Sequence, residues 1–285
     1  METNLLKPNE ICDEAINIGV KKSKYSAHQV IILGIMAGAF IALGAFSAAL
    51  ASHGVADVGV SKLIAGSIFP VGLMLVLICG ADLFTGNCLM AVAVAEKKIT
   101  LKSMLKNWGI IYLTNFIGAF LIAFLIFNAG LLHVNSDKLG GYAIKVAVNK
   151  SSLTFIQALS SGILCNIVVC LAVWGAYAAK DMIGKIVIIW FPVMAFVVAG
   201  FEHSVANMYY FSIGILARSD ASLVEASHIS ADKLAMLNWN NIIFNNVIPV
   251  TIGNIIGGSV FVGLAYWSIY KFKPNKKEYN KQAAA

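Results

Sequence analysis

Six runs of apolar residues, at roughly 28–52, 62–95, 107–132, 153–179, 186–217 and 246–270, are each long enough to cross a bilayer. A soluble fold needs far more charge at its surface: here 59% of the 285 residues are hydrophobic and 12% charged, with a mean hydropathy of +0.80. Lipid is therefore the solvent, and inside lipid the backbone must satisfy its own hydrogen bonds. The expected fold is an all-α membrane protein with six transmembrane helices. The first run is not read as a cleavable signal, because a charged segment precedes it and no small-residue cleavage site follows.

The basic residues set the orientation. Lys7, Lys21, Lys22 and Lys24 precede the first run, and Lys97, Lys98, Lys102 and Lys106 join the second to the third. Lys180 and Lys185 join the fourth to the fifth, and Lys271, Lys273, Lys276, Lys277 and Lys281 follow the last. All of these share one side; of the 21 basic residues only Lys62, Lys138, Lys145, Lys150, Arg218 and Lys233 fall on the other. The bias predicts a multi-pass protein of the cell membrane with both termini cytoplasmic. The net charge of +7 is then a signal of topology, and no nucleic-acid partner is expected. The chain divides into a cytoplasmic segment over 1–27, a channel domain over 28–270 and a basic cytoplasmic tail over 271–285. In the first segment Ile11, Ala15 and Ile18 recur at helical spacing beside Lys7, Glu10, Asp13 and Glu14, which predicts an amphipathic helix. Both a pH-responsive lid and a packed terminus are open readings of it. The five cysteines show no metal-binding spacing, and no metal or cofactor is expected.

An internal repeat relates the halves. Asn107 and Asn115 followed by Ile117-Gly118 match, in spacing, Asn246 and Asn254 followed by Ile256-Gly257. Asp82…Asn87 in the second run matches Glu202…Asn207 in the fifth. Three crossings per half make such a repeat inverted in the membrane, an arrangement that places a site near mid-membrane. The second and fifth runs are also too long for one helix. Gly80-Ala81-Asp82-Leu83-Phe84-Thr85-Gly86-Asn87 and Gly200-Phe201-Glu202-His203-Ser204-Val205-Ala206-Asn207 hold the glycines and short polar residues that end one helix and cap the next. Each is read as a broken helix whose new N-terminus favours an anion.

Asp82 and Glu202 are the carboxylates inside these runs, and a bare charge there costs at least ~2.5–3.5 kcal/mol. They are expected to anchor the broken backbone, together with Asn87; substrate contact is the other reading. His203 is the one histidine at mid-span, opposite Thr85 across the repeat. A group that titrates near neutrality can give a hydrogen bond or a proton to the anion of a weak acid.

At these residues the chain resembles the formate/nitrite transporter family, which includes hydrosulfide channels. Four blocks carry the likeness: Leu77–Gly86, Cys165–Ala172, Gly200–Met208 and Ile248–Gly258. The resemblance implies an aquaporin-like six-span protomer in a homopentamer, with a pore inside each protomer and lipid around it. It implies that Thr85 begins the loop interrupting the second span and faces the pore beside His203. Phe69, Leu73 and Phe196 match the periplasmic-side constriction, and Leu83, Phe84 and Val169 lie near the cytoplasmic one. Lys150, Asn166 and Glu202 match polar residues around the histidine and the outer vestibule, and Asn207 is expected with them at the pore. The substrate implied is a small weak-acid anion: formate, nitrite or hydrosulfide.

Rival classes lack their marks. There is no His-Glu-x-x-His, Gly-x-Ser-x-Gly or nucleotide-binding glycine loop for an intramembrane enzyme. A water or glycerol channel, the alternative reading, would carry a pair of Asn-Pro-Ala motifs that this sequence does not contain.

Overall fold

The computed structural model describes residues 5–272, so the expected tail beyond Phe272 lies outside the described residues. Helix α1 (Pro8–Ser23) starts with a proline in its first turn, and Glu10 accepts from the Lys7 amide at 2.7 Å. Lys21 and Lys22 sit in its last turn, so its charges oppose the helix dipole at both ends. Ile11, Cys12, Ala15, Ile16 and Gly19 form its buried stripe, and burial pushes the Cys12 thiol up to about 11.

Six helices are long and apolar enough to cross a membrane, counting the described residues: α2 (Ala27–Ser52), α3 (Val58–Ile78), α5 (Leu101–Asn128), α7 (Phe155–Ala178), α8 (Met182–Ala199) and α12 (Trp239–Tyr270). Two shorter ones, α4 (Phe84–Ala95) and α9 (Ser204–Arg218), continue the second and fifth spans after their breaks. Helix α6 (Lys138–Ser151) precedes α7, while α10 (Ala221–Ser227) and α11 (Ala231–Ala235) lie between α9 and α12. The interrupted spans are as the sequence predicts, but most start earlier. Helix α5 begins at Leu101 rather than 107, α12 at Trp239 rather than 246, and α3 at Val58 rather than 62. A helix continues past its apolar run because lysine stems such as those of Lys102 and Lys106 can lie along it with their heads in water. Helix α6 was not foreseen.

The inverted repeat is visible element by element. Helices α1 to α5 correspond to α6, α7, α8, α9 and α12. Ser26 with Gln29 caps α2 as Thr154 with Gln157 caps α7, each pair closing a reciprocal capping box. Glycines let the helices of each half approach to backbone contact. Added side-chain carbons at Gly38 and Gly118 would collide with the backbone of Asn115 and Ile35, between α2 and α5. Those at Gly253 and Gly257 would collide with Leu159 and Ile163, between α12 and α7.

Candidate functional site at the two helix breaks

Each break is built the same way. Gly80 and Gly200 take left-handed conformations, φ +85° and +75°. The amide of Ala81 then donates to Val76 O at 2.8 Å, and that of Phe201 to Phe196 O at 3.1 Å, closing the outgoing helix. Three residues run without helical structure before the next helix begins at Phe84 or Ser204. One asparagine per half stitches the gap. Asn115 accepts from the Phe84 amide at 2.9 Å and donates to Asp82 O and Gly34 O at 3.0 and 2.8 Å. Asn254 accepts from the Ser204 amide at 2.9 Å and donates to Glu202 O and Gly162 O at 3.0 and 2.8 Å. Backbone freed inside a membrane is thus satisfied by protein. Thr85 stands in the first turn of α4, as do Gly86 and Asn87. This corrects the expectation that Thr85 begins the loop: the non-helical residues precede it, because the positive-φ glycine at 80 sets where the helix stops.

The carboxylates of the two breaks each meet a lysine from outside the spans. Lys150, in the last turn of α6, donates to Glu202 Oε1 at 2.8 Å. Glu202 Oε2 accepts from Asn207 at 2.7 Å and Asn246 at 3.0 Å. Its amide donates to Ser161 Oγ at 3.0 Å. In the first half Lys22, near the end of α1, lies 2.6 Å from Asp82 Oδ1 and donates to Asn87 Oδ1 at 2.6 Å. Asn87 in turn donates to Asn107 at 2.8 Å. Among the described residues, neither Asp82 oxygen receives a well-directed hydrogen bond, and Asn107 Nδ2 has no acceptor. Aspartate is one methylene shorter than glutamate, so it cannot bridge both asparagines as Glu202 does.

Thr85 and His203, 0% and 3% exposed, meet where the breaks face each other, Oγ1 to Nε2 at 2.9 Å. The Ala206 amide donates to His203 Nδ1 at 3.0 Å, so His203 caps α9 with a lone pair. A neutral imidazole with Nδ1 accepting carries its proton on Nε2 and gives it to Thr85. The threonine hydroxyl is then free to donate to a third group. Its carbonyl is held as well, by Asn166 Nδ2 at 3.2 Å and Cys170 Sγ at 3.3 Å. Asn166 also donates to Asn254 O at 2.6 Å, so it bridges the halves. Its Oδ1, Ser204 Oγ and Asn207 Oδ1 are buried without a hydrogen-bond partner among the described residues.

A cavity of about 210 Å³ opens from the α6 face down to His203. Its polar lining includes Lys62, Tyr142, Lys150, Asn207 and Tyr210, and the Lys150 ammonium lies 5.3 Å from the Tyr210 ring centre. Phe69 and Phe196 close its floor, edge to face at 5.7 Å, with Phe196 stacked on His203 at 6.0 Å. Leu73 is buried and lies outside the cavity lining. Leu83, Phe84 and Val169 are buried on the other side of the pair, Phe84 edge-on to Trp108 and Tyr112. At the α1 face Ile18, Gly19, Lys22, Gly86 and Met90 enclose no room for a water. The structure therefore brings His203, Lys150, Asn207, Phe69 and Phe196 to the lining of one vestibule, with Thr85 bonded to His203 and Glu202 to Lys150, and sets Asn166, Asp82 and Asn87 around the breaks. Lys22, Asn115, Asn246, Asn254 and Ser204 were not among the expected site residues, although the repeat marks the three asparagines.

Helices broken in both of two inverted repeats, with polar groups facing each other at the breaks, define a membrane channel or transporter. The profile described as Formate/nitrite transporter matches residues 9–268, and the chain belongs to that family. It is 38% identical to a probable formate transporter of Methanothermobacter thermautotrophicus over 95% of this chain and 99% of that one. It is 39% identical to the formate channel FocA of Escherichia coli strain K12, over 94% and 95% respectively. Among solved structures, a pentameric formate channel with formate bound superposes with a TM-score of 0.80 at 38% identity, covering 86% of this chain and 97% of that one. An ion channel of the same family gives 0.77 at 27% identity, covering 91% and 98%.

Proposed function

We propose that the protein conducts formate through a pore inside each protomer of a homopentamer, with both termini in the cytoplasm and the α6 face outside. Relatives named as formate channels support the substrate, and the pentameric relative supports the assembly. Nitrite and hydrosulfide, equally small monovalent anions of weak acids, fit the same chemistry.

The observation that carries this reading is the Thr85–His203 pair beneath a basic vestibule. A bare anion entering hydrocarbon meets a Born penalty of tens of kcal/mol. Lys150 and Lys62 raise the anion's concentration at the mouth. Phe69, Leu73 and Phe196 then strip bulk water, and Leu83, Phe84 and Val169 do so on the other side. Between them the Thr85 hydroxyl, backed by the Nε2 proton of His203, donates to a carboxylate oxygen and spreads its charge. Protonating Nδ1 would break the bond from Ala206. His203 therefore serves as a hydrogen-bond donor that keeps Thr85 oriented, while Glu202 and Asn166 hold the two breaks in register.

Flux of formate, nitrite, hydrosulfide and glycerol into proteoliposomes tests the reading. Formate flux well above glycerol is expected, with Thr85→Ala and His203→Ala each lowering it or changing selectivity by about tenfold or more, the scale of one charge-assisted hydrogen bond. Thr85→Ser, which keeps the hydroxyl, should stay near wild type. Wild-type rates from both alanine variants, or glycerol as the preferred solute, would sink it.

A further inference from the structure

A second cavity, about 80 Å³, lies where the end of α1 turns into α2 and meets the first two turns of α5. It shares no lining residue with the vestibule of the α6 face. Its charged lining groups are both lysines, Lys22 and Lys106, and Tyr25 and Ser103 add hydroxyls. Asn107, 5% exposed, lines it too, and with Oδ1 taken by Asn87 its Nδ2 is a buried donor with no acceptor.

The inverted repeat shows what this place looks like when it is closed. In the second half Asn246 takes the position of Asn107, and its Nδ2 donates to Lys150 O and Glu202 Oε2 at 3.0 Å each. Its neighbour Asn245 takes the position of Lys106 and donates to Ser151 O at 3.3 Å. Two side-chain amides thereby seal the second half against its short helix. In the first half the seal is missing: Asp82 is too short to reach Asn107, and a lysine stands where Asn245 does. Water would satisfy the amide N–H alone, whereas an oxyanion would satisfy it together with the Lys106 ammonium in the same lining. A buried orphan donor and the Lys106 ammonium in one lining together select an oxygen anion.

We propose that this cavity binds a phosphate-class oxyanion, held by Lys106, the Asn107 amide and the hydroxyls of Tyr25 and Ser103. Lys22 is already engaged by Asp82 and Asn87, so Lys106 supplies the unpaired charge. The space suits a phosphate-sized group and is too small for a nucleotide. The same chemistry can come from the headgroup of an anionic phospholipid, since Lys106 is exposed at the end of a span, or from free phosphate in solution. In either case the ligand would tie α5 to the junction of α1 and α2. The inference does not depend on which anion crosses the pore.

Two titrations of the full chain in neutral detergent test it: phosphatidylglycerol against phosphatidylcholine by native mass spectrometry, and inorganic phosphate by calorimetry. Selective retention of phosphatidylglycerol would identify a membrane headgroup, and phosphate binding a soluble ligand; either supports the site when Lys106→Gln weakens it about tenfold. Lys102→Gln, which removes the same charge from an exposed lysine on the same helix, should leave binding in place. Asp82→Glu should also weaken it, by giving the Asn107 amide the partner that Asn246 has. No binding of either probe, or equal losses from Lys102→Gln and Lys106→Gln, would overturn the proposal.

Discussion

One methylene separates the two carboxylates at the breaks, and much of the difference between the halves follows from it. Glu202 reaches Asn207, Asn246 and Lys150 together, so two buried amides and a half-buried ammonium share one acceptor group. Asp82 meets Lys22 alone, leaving Asn87 to bond the lysine itself. Shortening the longer one should therefore strand buried amide donors. Glu202→Asp is expected to destabilise by about 1–3 kcal/mol, the cost of an unmet buried hydrogen bond. Asp82→Glu should be neutral or stabilising, because it gives Asn107 an acceptor. Thermal unfolding of both variants in detergent checks this, and an unchanged midpoint for Glu202→Asp would contradict it. Residues at this scale were only half legible. Glu202, His203 and Thr85 stand out because a polar cluster in an apolar run is conspicuous. Lys22 does not, since a lysine near a charged terminus looks ordinary until the fold brings it to Asp82 and Asn87, and Asn107 shows in the sequence only as a marker of the repeat.

Among the elements, the sequence marked the breaks well and the helix starts poorly. Glycine followed by capping residues has few other uses inside a long apolar run, so the ends of α3 and α8 were visible. The starts of α5 and α12 were not, because hydropathy follows the lipid boundary while hydrogen bonding carries the helix beyond it. Helix α6 hid for a related reason: its 14 residues, with Lys150 in the last turn, have too little apolar length to register as a span. Yet α6 places Lys150 against Glu202, as α1 places Lys22 against Asp82. The close crossings make the sharpest prediction here. Leucine at Gly118 must push α5 away from Ile35 of α2, and with it Asn115, which stitches the first break. The cost is expected to exceed the roughly 1–3 kcal/mol of ordinary overpacking, since backbone rather than a side-chain tip is in the way. Gly118→Leu should lose folded protein on size exclusion. Gly109→Leu, on the same helix with open space before it, should not. Similar yields from the two would argue against glycine-mediated packing.

For the whole molecule, the inverted repeat makes the two faces alike in backbone and leaves side chains to tell them apart. One face has an open vestibule under Lys150 and Lys62, and at the other α1 fills the equivalent space. The same face that carries α1 carries Lys21, Lys24, Lys97, Lys98, Lys102, Lys106, Lys180 and Lys185. Lysines near span ends favour the cytoplasmic side, so this bias predicts a vestibule that faces outward. Cysteine labelling tests it in intact cells. The native thiols interfere little, because Cys12, Cys88, Cys165 and Cys170 are buried and the exposed Cys79 can be replaced by serine. In that background Ser136→Cys, in the connection before α6, should react with a membrane-impermeant maleimide added outside. Lys98→Cys, between α4 and α5, should react only after the membrane is opened. The reverse pattern would place α1 outside, and would turn the Lys150 vestibule into the side from which the cell loads its anion.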